Sequence, residues 1–341
     1  MITIEKNKNL KLFNTFGIAA NAQYFCCISS VNELKELQQH PVFKTQRRLV
    51  LGGGSNVLLC KDFDGLVVLC KLKGIHTVRE ADETITLEVA SGEVWHDFVL
   101  HCVKNNWGGI ENLSLIPGTT GAAPIQNIGA YGVEVKDVIE YVNAIDMTTG
   151  ENVSLNNQQC KFGYRESRFK HEWREKYFIS SVTLTLTKKN HRINMQYGAI
   201  ADTLKKMNVS LSTIQTVCDA VIAIRRSKLP DPAVIGNAGS FFKNPSITLD
   251  HYQSLQKNNP TIPNYPSVNQ EVKVPAGWLI EQCGWKGKKL GNVGVHAQQA
   301  LVLVNYGNAK GEEIFLVAMK IIESVKEKFN IVLTPEVNII V

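Results

Sequence analysis

The residues best suited to chemistry lie in a short stretch, 236–245, with the sequence Gly-Asn-Ala-Gly-Ser-Phe-Phe-Lys-Asn-Pro. Its glycines allow backbone conformations and close approaches that other residues cannot make. Ser240 precedes Phe241 and Phe242, and anchoring by these two rings would hold its hydroxyl still. The stretch therefore suits a positioned, reactive hydroxyl, although a glycine-rich turn that leads into a short strand explains the same residues.

A second candidate site is the glycine-rich run Gly52, Gly53, Gly54, Ser55 and Asn56. It follows a predicted strand at residues 48–51, and successive backbone N–H groups in such a run can bind a pyrophosphate. The dinucleotide fingerprint G-x-G-x-x-G is absent, because Val57 stands where the third glycine is required. Two further strands follow instead of a helix, and there is no Walker lysine. The run is therefore predicted to bind phosphate as a loop between strands.

A third candidate is the segment 116–132, in which small residues occupy nearly every second or third position. Such a backbone can lie directly against a flat or extended ligand, and the side chains of Gln126 and Asn127 can hydrogen-bond ring heteroatoms. A purely structural loop of this length is uncommon, so ligand binding is the favoured interpretation.

Charged residues occur near these segments, each with a structural explanation beside the functional one. Arg165 belongs to the loop 162–168, where a solvated, salt-bridged loop is slightly favoured. The helix predicted at 211–226 ends in cations that include Arg225, and cations also suit the helix dipole there. Glu336 is the only acid in a mostly apolar C-terminal strand, and a buried carboxylate requires a partner.

Hydrophobic periodicity predicts the elements that must position these residues. The predicted helices are 31–39, 93–103, 198–206, 211–226, 278–283 and 312–329. The predicted strands are 48–51, 84–90, 138–146, 178–186 and 300–304. Strands give way to helices after residue 190, which predicts a main domain boundary near residue 200.

Length and composition fit a soluble globular protein of two domains, with 341 residues, 44% hydrophobic and 20% charged. No apolar run approaches the ~20 residues of a membrane span. The first ten residues carry charges without an apolar core, so no signal peptide is predicted. We therefore expect a cytoplasmic protein.

Metal and nucleic-acid sites are not predicted. The eight cysteines and eight histidines are scattered without the spacing of a zinc site. The formal charge is +6, but the positive residues come in ones and twos rather than in a basic stripe. A small anionic ligand, such as a phosphate ester or a dinucleotide, suits this balance better than nucleic acid. No membrane or obligate protein partner is evident from the sequence.

Seven motifs, in order over nearly the whole chain, resemble those of the UDP-N-acetylenolpyruvoylglucosamine reductase family of flavoenzymes. The matching residues are 52–57, 116–132, 163–165, 228–232, 236–245, 295–299 and 335–337. The resemblance implies an α+β protein with an FAD-binding domain of the vanillyl-alcohol-oxidase (PCMH) type, with mixed sheets, at 1–200. That domain has an N-terminal subdomain of about 1–70 and a second subdomain of about 71–200. A smaller α+β substrate-binding domain follows at 201–341.

The implied activity is NADPH-dependent reduction of UDP-N-acetylglucosamine enolpyruvate to UDP-N-acetylmuramate in peptidoglycan synthesis. NADPH gives a hydride to FAD, which passes it to the vinyl carbon. Negative charge then develops on the neighbouring carbon and its carboxylate, so the site needs positive charge and a proton donor. The resemblance assigns the charge to Arg165 and the proton to Ser240. It gives Glu336 a third catalytic role, either orienting Arg165 or assisting proton transfer.

The resemblance also implies which residues hold the ligands. For FAD these are Gly52, Gly53, Gly54, Ser55, Asn56, Pro117, Gly118, Gly121, Ala122, Gln126, Asn127, Gly129 and Ala130. For the nucleotide sugar these are Tyr197, Arg225, Lys228, Asn244 and Gln299. Tyr197 lies in a loop, 195–198, of the kind that covers the bound substrate. Pro124 replaces a non-proline residue of another family branch and removes one backbone N–H that could contact the flavin.

Two other functions stay open from the sequence. A related flavin oxidase acting on an alcohol or sugar often tethers its flavin through His or Cys, and neither occurs in 52–56 or 116–132. A non-catalytic nucleotide-binding or scaffold protein would have no use for Arg165, Ser240 and Glu336 together.

Overall fold

The computed structural model describes residues 2–195, 197–266 and 271–341. Its strands, β1 to β20 in chain order, are Glu5–Asn9, Asn21–Ile28, Arg48–Leu51, Val57–Leu59, Phe63–Cys70, Ile75–Glu80, Thr84–Ala90, Gly129–Ala130, Val133–Glu134, Ile139–Asp146, Asn152–Asn156, Tyr177–Thr187, Gly236–Ser240, Ser246–Thr248, Tyr265–Pro266, Glu271–Lys273, Lys289–Leu290, Val293–Val295, Val302–Asn305 and Asn338–Ile340. Its α-helices, α1 to α9, are Val31–Gln39, Pro41–Thr45, Trp95–Lys104, Asn157–Cys160, Gly198–Lys206, Ile214–Lys228, Leu249–Asn258, Ala276–Gln282 and Gly311–Phe329.

The described chain divides into two compact units. The first comprises the chain up to Lys8, Ala22–Gly53 and Asp64–Ser227, and the second comprises Asn9–Asn21, Gly54–Phe63 and Lys228–Val341. The predicted domain boundary near residue 200 stays a prediction, whereas the compact units divide after Ser227. Helices α5 and α6 pack on each other through a buried cluster that includes Ile200 and Val221, with Tyr131 beside it. This packing explains why both helices belong to the first unit.

The first unit contains two larger sheets and the two-stranded β8–β9 pair. One has the strand order β1-β2-β5-β3 and pairs β3 with β5 in parallel, from Arg48↔Leu66 to Leu51↔Leu69. The other is antiparallel with the order β11-β10-β12-β7-β6. Apolar residues of β7 and of α3 share one buried cluster. The short connection between β7 and α3 is therefore held firmly at both ends.

The second unit is built on the antiparallel sheet β13-β19-β18-β17, which α9 contacts. The helix has the spacing i, i+3, i+4, i+7 and i+11 in its buried residues, which forms one apolar stripe. These residues are Ile314, Val317, Ala318, Ile321 and Val325. Strand β20 pairs in parallel with β4, from Asn338↔Val57 to Ile340↔Leu59. The C-terminal strand thus lies beside the strand that follows the glycine run.

Within the described ranges, no α-helix combines the length and the apolar character that a membrane span requires. In the same part of the chain, no three His, Cys, Asp or Glu side chains are grouped so that they could hold a metal ion. The cysteines are free thiols, and burial raises the pKa of Cys26 and of Cys160 to about 12. These two thiols therefore stay protonated at neutral pH.

Candidate active site

The two glycine-rich segments predicted to bind a cofactor pack against each other in the first unit. A Cβ atom on Gly52 would lie 2.2 Å from Oγ1 of Thr119, and a Cβ atom on Gly53 would lie 3.0 Å from the Cα atom of Gly118. Only a residue without a side chain permits so close an approach. The two loops therefore meet closely, with Gly53 against the backbone of Gly118 and Gly52 against the side chain of Thr119.

This junction leaves backbone donors available for a ligand. Among the described residues, the N–H groups of Gly53, Gly118 and Thr119 donate to no protein acceptor. Backbone groups seldom lack a partner, and neighbouring N–H groups of this kind suit an anion. The arrangement therefore fits the diphosphate of FAD.

The connection between β7 and α3 fixes the second of these loops. The N–H of Trp95 donates to the carbonyl of Gly118 at 3.0 Å, and the N–H of Gly121 donates to the carbonyl of Ser91 at 2.9 Å. A Cβ atom on Gly121 would lie only 2.4 Å from the Cβ atom of Ser91. Gly121 is therefore required by close packing against the strand end.

Gly121→Ala is expected to lower both the stability of the protein and its retention of FAD. The new methyl group would also meet the Cα and carbonyl oxygen of Ser91 at 3.0 and 3.1 Å, which cannot rotate away. Overpacking of this kind costs about 1–3 kcal/mol. Thermal unfolding and the flavin absorbance of the purified protein measure the two effects. Gly198→Ala is the matched control, because a Cβ atom there meets nothing within 4 Å. Equal losses in the two variants would contradict this account.

Several predicted cofactor residues show no further signal of their role. Pro117 is exposed, whereas Ala122, Gln126 and Ala130 are half-buried. They lie along the same segment as Gly118 and Gly121. Their contacts with the cofactor stay predictions.

The side chain of Asn127 differs from the expectation that it bonds ring heteroatoms. It is fully buried, and its amide nitrogen donates to the carbonyl of Gly163 at 2.9 Å and to the carboxylate of Glu134 at 3.1 Å. Its amide oxygen accepts the N–H of Lys136 at 3.0 Å. Both ends of the amide are bonded to protein, so this side chain joins loops together. A cofactor contact through its backbone stays a prediction.

Arg165 lies in a tight turn that directs its guanidinium toward the same segment. The N–H groups of Gly163 and Glu166 donate to each other's carbonyls at 2.9 and 3.1 Å. Arg165 has φ 56°, a left-handed conformation that is uncommon for a residue with a long side chain. Its Nη2 donates to the carbonyl of Gly129 at 2.6 Å. The turn therefore places the guanidinium at one end of the cofactor segment.

Arg225 reaches the other end of that segment. Its Nε donates to the carbonyl of Leu115 at 3.2 Å, and its charge interacts with the hydroxyl of Tyr131. Desolvation lowers the pKa of Arg225, the interaction with Tyr131 opposes this, and the charge of Arg165 lowers it further. The two guanidinium groups are thus close enough to interact. Together they form a positive site suited to an anion.

Tyr131 is a member of this site that the sequence analysis does not single out. It has φ 51° and is followed by Gly132 with φ 80°, between the paired strands β8 and β9. Two successive positive φ values define a type I′ hairpin turn. The amide of Asn112 donates to the carbonyl of Tyr131 at 3.1 Å. The available signal was a Tyr-Gly pair within a glycine-rich segment, which does not by itself indicate an arginine partner.

Tyr197 lies beside the positive site, at the start of α5. Its ring packs edge-on against Tyr131 with 5.4 Å between centroids, and 40% of the residue is exposed. Gln196, in the loop predicted to cover the substrate, lies outside the described residues. The covering role of Tyr197 stays a prediction.

In the second unit, Ser240 ends β13 and is fixed by its neighbours. Ser240 pairs with Val302 of β19, and the N–H of Phe241 donates to the carbonyl of Leu301 at 2.8 Å. Phe241 and Phe242 are 0% and 1% exposed, with 5.1 Å between their ring centroids. The half-buried Ser240 has no hydrogen-bond partner for its hydroxyl among the described residues. The buried rings therefore anchor a hydroxyl that is available to a ligand.

A local irregularity in β13 sets the direction of Ser240. The pairing with β19 shifts between Asn237 and Ser240. Gly239 has φ 69° in this interval, and its N–H donates to Oδ1 of Asn237 at 2.9 Å. Such a bulge bends a strand and changes the direction of the side chain that follows. A glycine at position 239 thus explains part of the sequence pattern around the serine.

Glu336 is brought to the same region from the far end of the chain. Its N–H donates to the carbonyl of Phe241 at 2.7 Å, and Phe242 pairs with Pro335 in an isolated β-bridge. The backbone of the half-buried Glu336 is therefore hydrogen-bonded to the residue that directly follows Ser240. The sequence alone does not predict this proximity.

The last three residues of the glycine run belong to the second unit. Gly54 has φ 60°, and a Cβ atom there would overlap a backbone carbonyl at 2.0 Å. Ser55 is half-buried. The side chain of Asn56 donates to the carbonyl of Glu336 at 3.3 Å. The carbonyl of Asn56 accepts hydrogen bonds from the backbone N–H and from the side-chain amide of Asn338, each at 3.0 Å. Asn56 therefore holds the segment that carries Glu336.

The remaining predicted substrate residues have structural contacts of their own. Oδ1 of Asn244 accepts the N–H of Ala276 at 2.9 Å at the start of α8, and Oε1 of Gln299 accepts the N–H of Leu301 at 3.3 Å. Lys228 is exposed at the end of α6. These contacts fix Asn244 and Gln299 in place, and their contacts with substrate stay predictions.

Comparison with known proteins accounts for both units. A model of the FAD binding domain matches residues 22–156, so the chain is a protein of the FAD-binding class. A model of the C-terminal domain of UDP-N-acetylenolpyruvoylglucosamine reductase matches residues 231–340.

Full-length relatives agree with these domain matches. A UDP-N-acetylenolpyruvoylglucosamine reductase of Flavobacterium johnsoniae is 50% identical over 337 residues, covering 99% of each chain. Proteins of the same name from Chromobacterium violaceum and Escherichia coli O157:H7 are 48% and 45% identical, covering 96% and 98% of this chain and 96% of each relative. The chain belongs to the UDP-N-acetylenolpyruvoylglucosamine reductase family, and it is therefore an oxidoreductase with an FAD-binding domain.

A solved structure supports the predicted fold. The reductase from Thermus caldophilus has a TM-score of 0.68 with this chain, at 21% sequence identity and with 99% of each chain covered. This likeness concerns the fold. The predicted family and the predicted α+β fold class with an FAD-binding domain are confirmed.

Proposed function

We propose that the protein is the NADPH-dependent reductase that converts UDP-N-acetylglucosamine enolpyruvate to UDP-N-acetylmuramate in peptidoglycan synthesis, in the cytoplasm. Family membership supports this reaction, and one feature of the geometry carries it. Arg165 hydrogen-bonds the carbonyl of Gly129, within the segment predicted to bind FAD, and Arg225 hydrogen-bonds the carbonyl of Leu115, directly before that segment. Two positive charges at this segment suit a substrate on which negative charge develops.

FAD, when bound, supplies to the substrate a hydride that it has received from NADPH. The backbone N–H groups of Gly53, Gly118 and Thr119 are proposed to hold its diphosphate, because they have no protein acceptor in the described chain. The close contact of the two glycine loops keeps these donors in fixed positions. A side chain at Gly52 or Gly53 would separate the loops and remove this binding surface.

The protein's own residues complete the reduction of the double bond. One hydride and one proton add across the enolpyruvyl C=C bond, while NADPH is oxidised to NADP⁺. Arg165 stabilises the negative charge that the hydride leaves on the adjacent carbon and its carboxylate. Ser240 donates the proton to that carbon, since a neutral hydroxyl is acidic enough toward a strongly basic enolate. Glu336 assists this proton transfer, which its backbone position one residue from Ser240 supports.

The nucleotide part of the substrate is proposed to bind through five residues. Arg225 and Lys228 supply positive charge for the diphosphate, and Asn244 and Gln299 supply amide groups for hydrogen bonds. Tyr197 is proposed to cover the bound substrate, and its exposed ring beside Tyr131 supports that role. No nucleic acid, membrane or obligate protein partner is part of this proposal.

The proposed function is tested with purified protein. We expect a yellow protein with flavin absorbance, whose FAD is released on denaturation because neither loop offers a His or Cys tether. NADPH consumption should be slow alone and should increase when the enolpyruvyl nucleotide is added. A protein unable to bind FAD, or one whose NADPH consumption ignores the nucleotide, would refute the proposal.

A further inference from the structure

Leu115 has an unusual backbone conformation directly before the segment that is proposed to hold FAD. Its φ is 57°, in the left-handed region that a bulky apolar residue rarely adopts. Such a conformation persists only where the surrounding structure holds it, and it is typical of functional sites. The contacts that hold Leu115 in this conformation therefore also determine the position of the groups that hydrogen-bond to its backbone.

Two hydrogen bonds hold Leu115, one on each side of its Cα atom. The N–H of Leu115 donates to Nδ1 of His96 at 2.9 Å. The carbonyl of Leu115 accepts the Nε–H of Arg225 at 3.2 Å. The left-handed residue thus connects the imidazole of His96 to the guanidinium of Arg225.

His96 lies at a rigid point of the first unit. It is the second residue of α3, directly after Trp95, which is 1% exposed. The indole Nε1–H of Trp95 donates to the carbonyl of Leu113 at 3.0 Å, and its backbone N–H donates to the carbonyl of Gly118 at 3.0 Å. Trp95 at the start of α3 therefore holds the chain by hydrogen bonds before and after Leu115, and His96 supplies the acceptor for the N–H of Leu115 itself.

The geometry fixes the protonation state of His96. Because Nδ1 accepts a hydrogen bond, the imidazole is neutral and carries its proton on Nε2. Protonation would place two N–H donors face to face at Leu115. The charged groups acting on His96 are Asp97 on its own helix, and Arg225 and Arg226 on α6.

These surroundings favour the neutral imidazole. Desolvation lowers the pKa of His96, Asp97 raises it, and the charges of Arg225 and Arg226 lower it. A folded-state pKa below the ordinary histidine value means that the unfolded chain takes up the proton first as the pH falls. The stability that neutral His96 contributes is therefore fully present above the ordinary pKa of 6.5 and is lost progressively as the pH falls toward the lower folded-state pKa, where the Leu115 contact itself breaks.

We propose that His96 is a positioning residue for the reductase reaction, whose neutral Nδ1 holds Leu115 in the left-handed conformation and thereby orients Arg225 toward the anionic substrate. The inference rests on the proposed function, because it takes Arg225 as a substrate-binding cation. His96 itself touches neither substrate nor cofactor in this account. If His96 served only for packing, substrate binding would not depend on which imidazole nitrogen accepts a hydrogen bond.

The test compares three variants in the FAD-loaded protein at pH 8. His96→Ala removes the acceptor and is expected to raise KM for the enolpyruvyl nucleotide about tenfold or more, because the half-buried N–H of Leu115 loses its partner and Arg225 loses its fixed carbonyl. His96→Asn places an oxygen near the position of Nδ1 and is expected to restore KM close to the wild-type value. His101→Asn is the control, since His101 is exposed on the same helix and contacts Trp107 instead.

The pH profile separates positioning from packing. The wild-type protein should lose affinity for the enolpyruvyl nucleotide in acid, with a midpoint below pH 6.5, as His96 takes up a proton. His96→Asn should lack that acid limb, because an amide does not titrate. Equal KM values for His96→Ala and the wild type, or an unchanged acid limb in His96→Asn, would overturn the proposal.

A spectroscopic measurement keeps the proposal independent of turnover. NMR of uniformly nitrogen-15-labelled protein should find the Nε2–H tautomer at His96 in the wild type. It should also find slow exchange of the Leu115 amide in both the wild type and His96→Asn. An Nδ1–H tautomer would overturn the inference even in an active reductase. A wild-type protein without nucleotide-dependent NADPH consumption would instead refute the proposed function, while the tautomer would still decide the His96 contact.

Discussion

Ser240→Ala is expected to leave the reduction of bound flavin by NADPH unchanged and to slow its reoxidation by the enolpyruvyl nucleotide by about 10²–10⁴-fold. A positioned proton donor typically contributes this much to a rate. The Phe241 and Phe242 rings are buried independently of the hydroxyl, so the backbone should keep its position in the variant. Stopped-flow absorbance of the flavin follows the two half-reactions separately.

The Ser240→Ala substitution should affect only the reoxidation of the flavin by the nucleotide, and not the folding of the protein. Ser246→Ala is the control, because Ser246 is an exposed serine six residues further along in the same unit. It should behave as the wild type in both half-reactions. Equal slowing of both half-reactions in Ser240→Ala would make the serine a structural residue and remove it from the chemistry.

Arg165→Ala is expected to reduce the rate of the nucleotide-dependent half-reaction by about 10²–10³-fold, the usual consequence of removing one group that stabilises developing negative charge. The guanidinium also donates to the carbonyl of Gly129 at 2.6 Å, so part of the loss will come from a less fixed cofactor segment. Flavin content and both half-reaction rates distinguish these contributions. Arg165→Lys should recover little, because an ammonium group cannot reproduce the planar guanidinium.

Arg168→Ala is the matched control for Arg165→Ala. Arg168 lies three residues further on, where it pairs with Glu172 and lies 4.5 Å from the ring centroid of Trp173. Its loss should affect stability slightly and turnover hardly at all. Similar kinetic losses in the two variants would contradict the specific role of Arg165.

The local elements could be predicted from the sequence because their patterns are short-range. The helix predicted at 31–39 and the strand predicted at 84–90 have these bounds in the structure. The helix predicted at 211–226 begins instead at Ile214, because Thr213 and Thr216 bond each other's backbone N–H groups and set its start. Leu211, which extended the apolar pattern, is 72% exposed.

The contacts of the candidate site could not be predicted from local patterns. The sequence slightly favours a solvated, salt-bridged loop at 162–168. In the structure Arg168 forms such a salt bridge with Glu172, whereas Arg165 donates a hydrogen bond to the carbonyl of Gly129. Its positive φ and the tight turn decide this, and neither follows from residue types. The bond between Arg225 and Leu115 joins residues 110 positions apart, so no periodicity in the chain reports it.

The Asn127 amide illustrates a further limit of reasoning from residue type. A polar side chain in a glycine-rich segment suits either a ligand or a loop, and the sequence favoured the ligand. Burial decides for the loop, because a fully buried amide must have its hydrogen bonds satisfied, and here protein groups satisfy them. The glycines at 52, 53 and 121, by contrast, are explained by the close contacts that their positions require.

A single-turnover experiment tests the central claim most directly. The FAD-loaded protein is reduced with NADPH without oxygen, freed of NADP⁺, and mixed with the enolpyruvyl nucleotide. We predict that the flavin absorbance returns in one phase and that the nucleotide gains two hydrogens, giving UDP-N-acetylmuramate by mass spectrometry. Recovery of the nucleotide unchanged, with the flavin still reduced, would contradict the account.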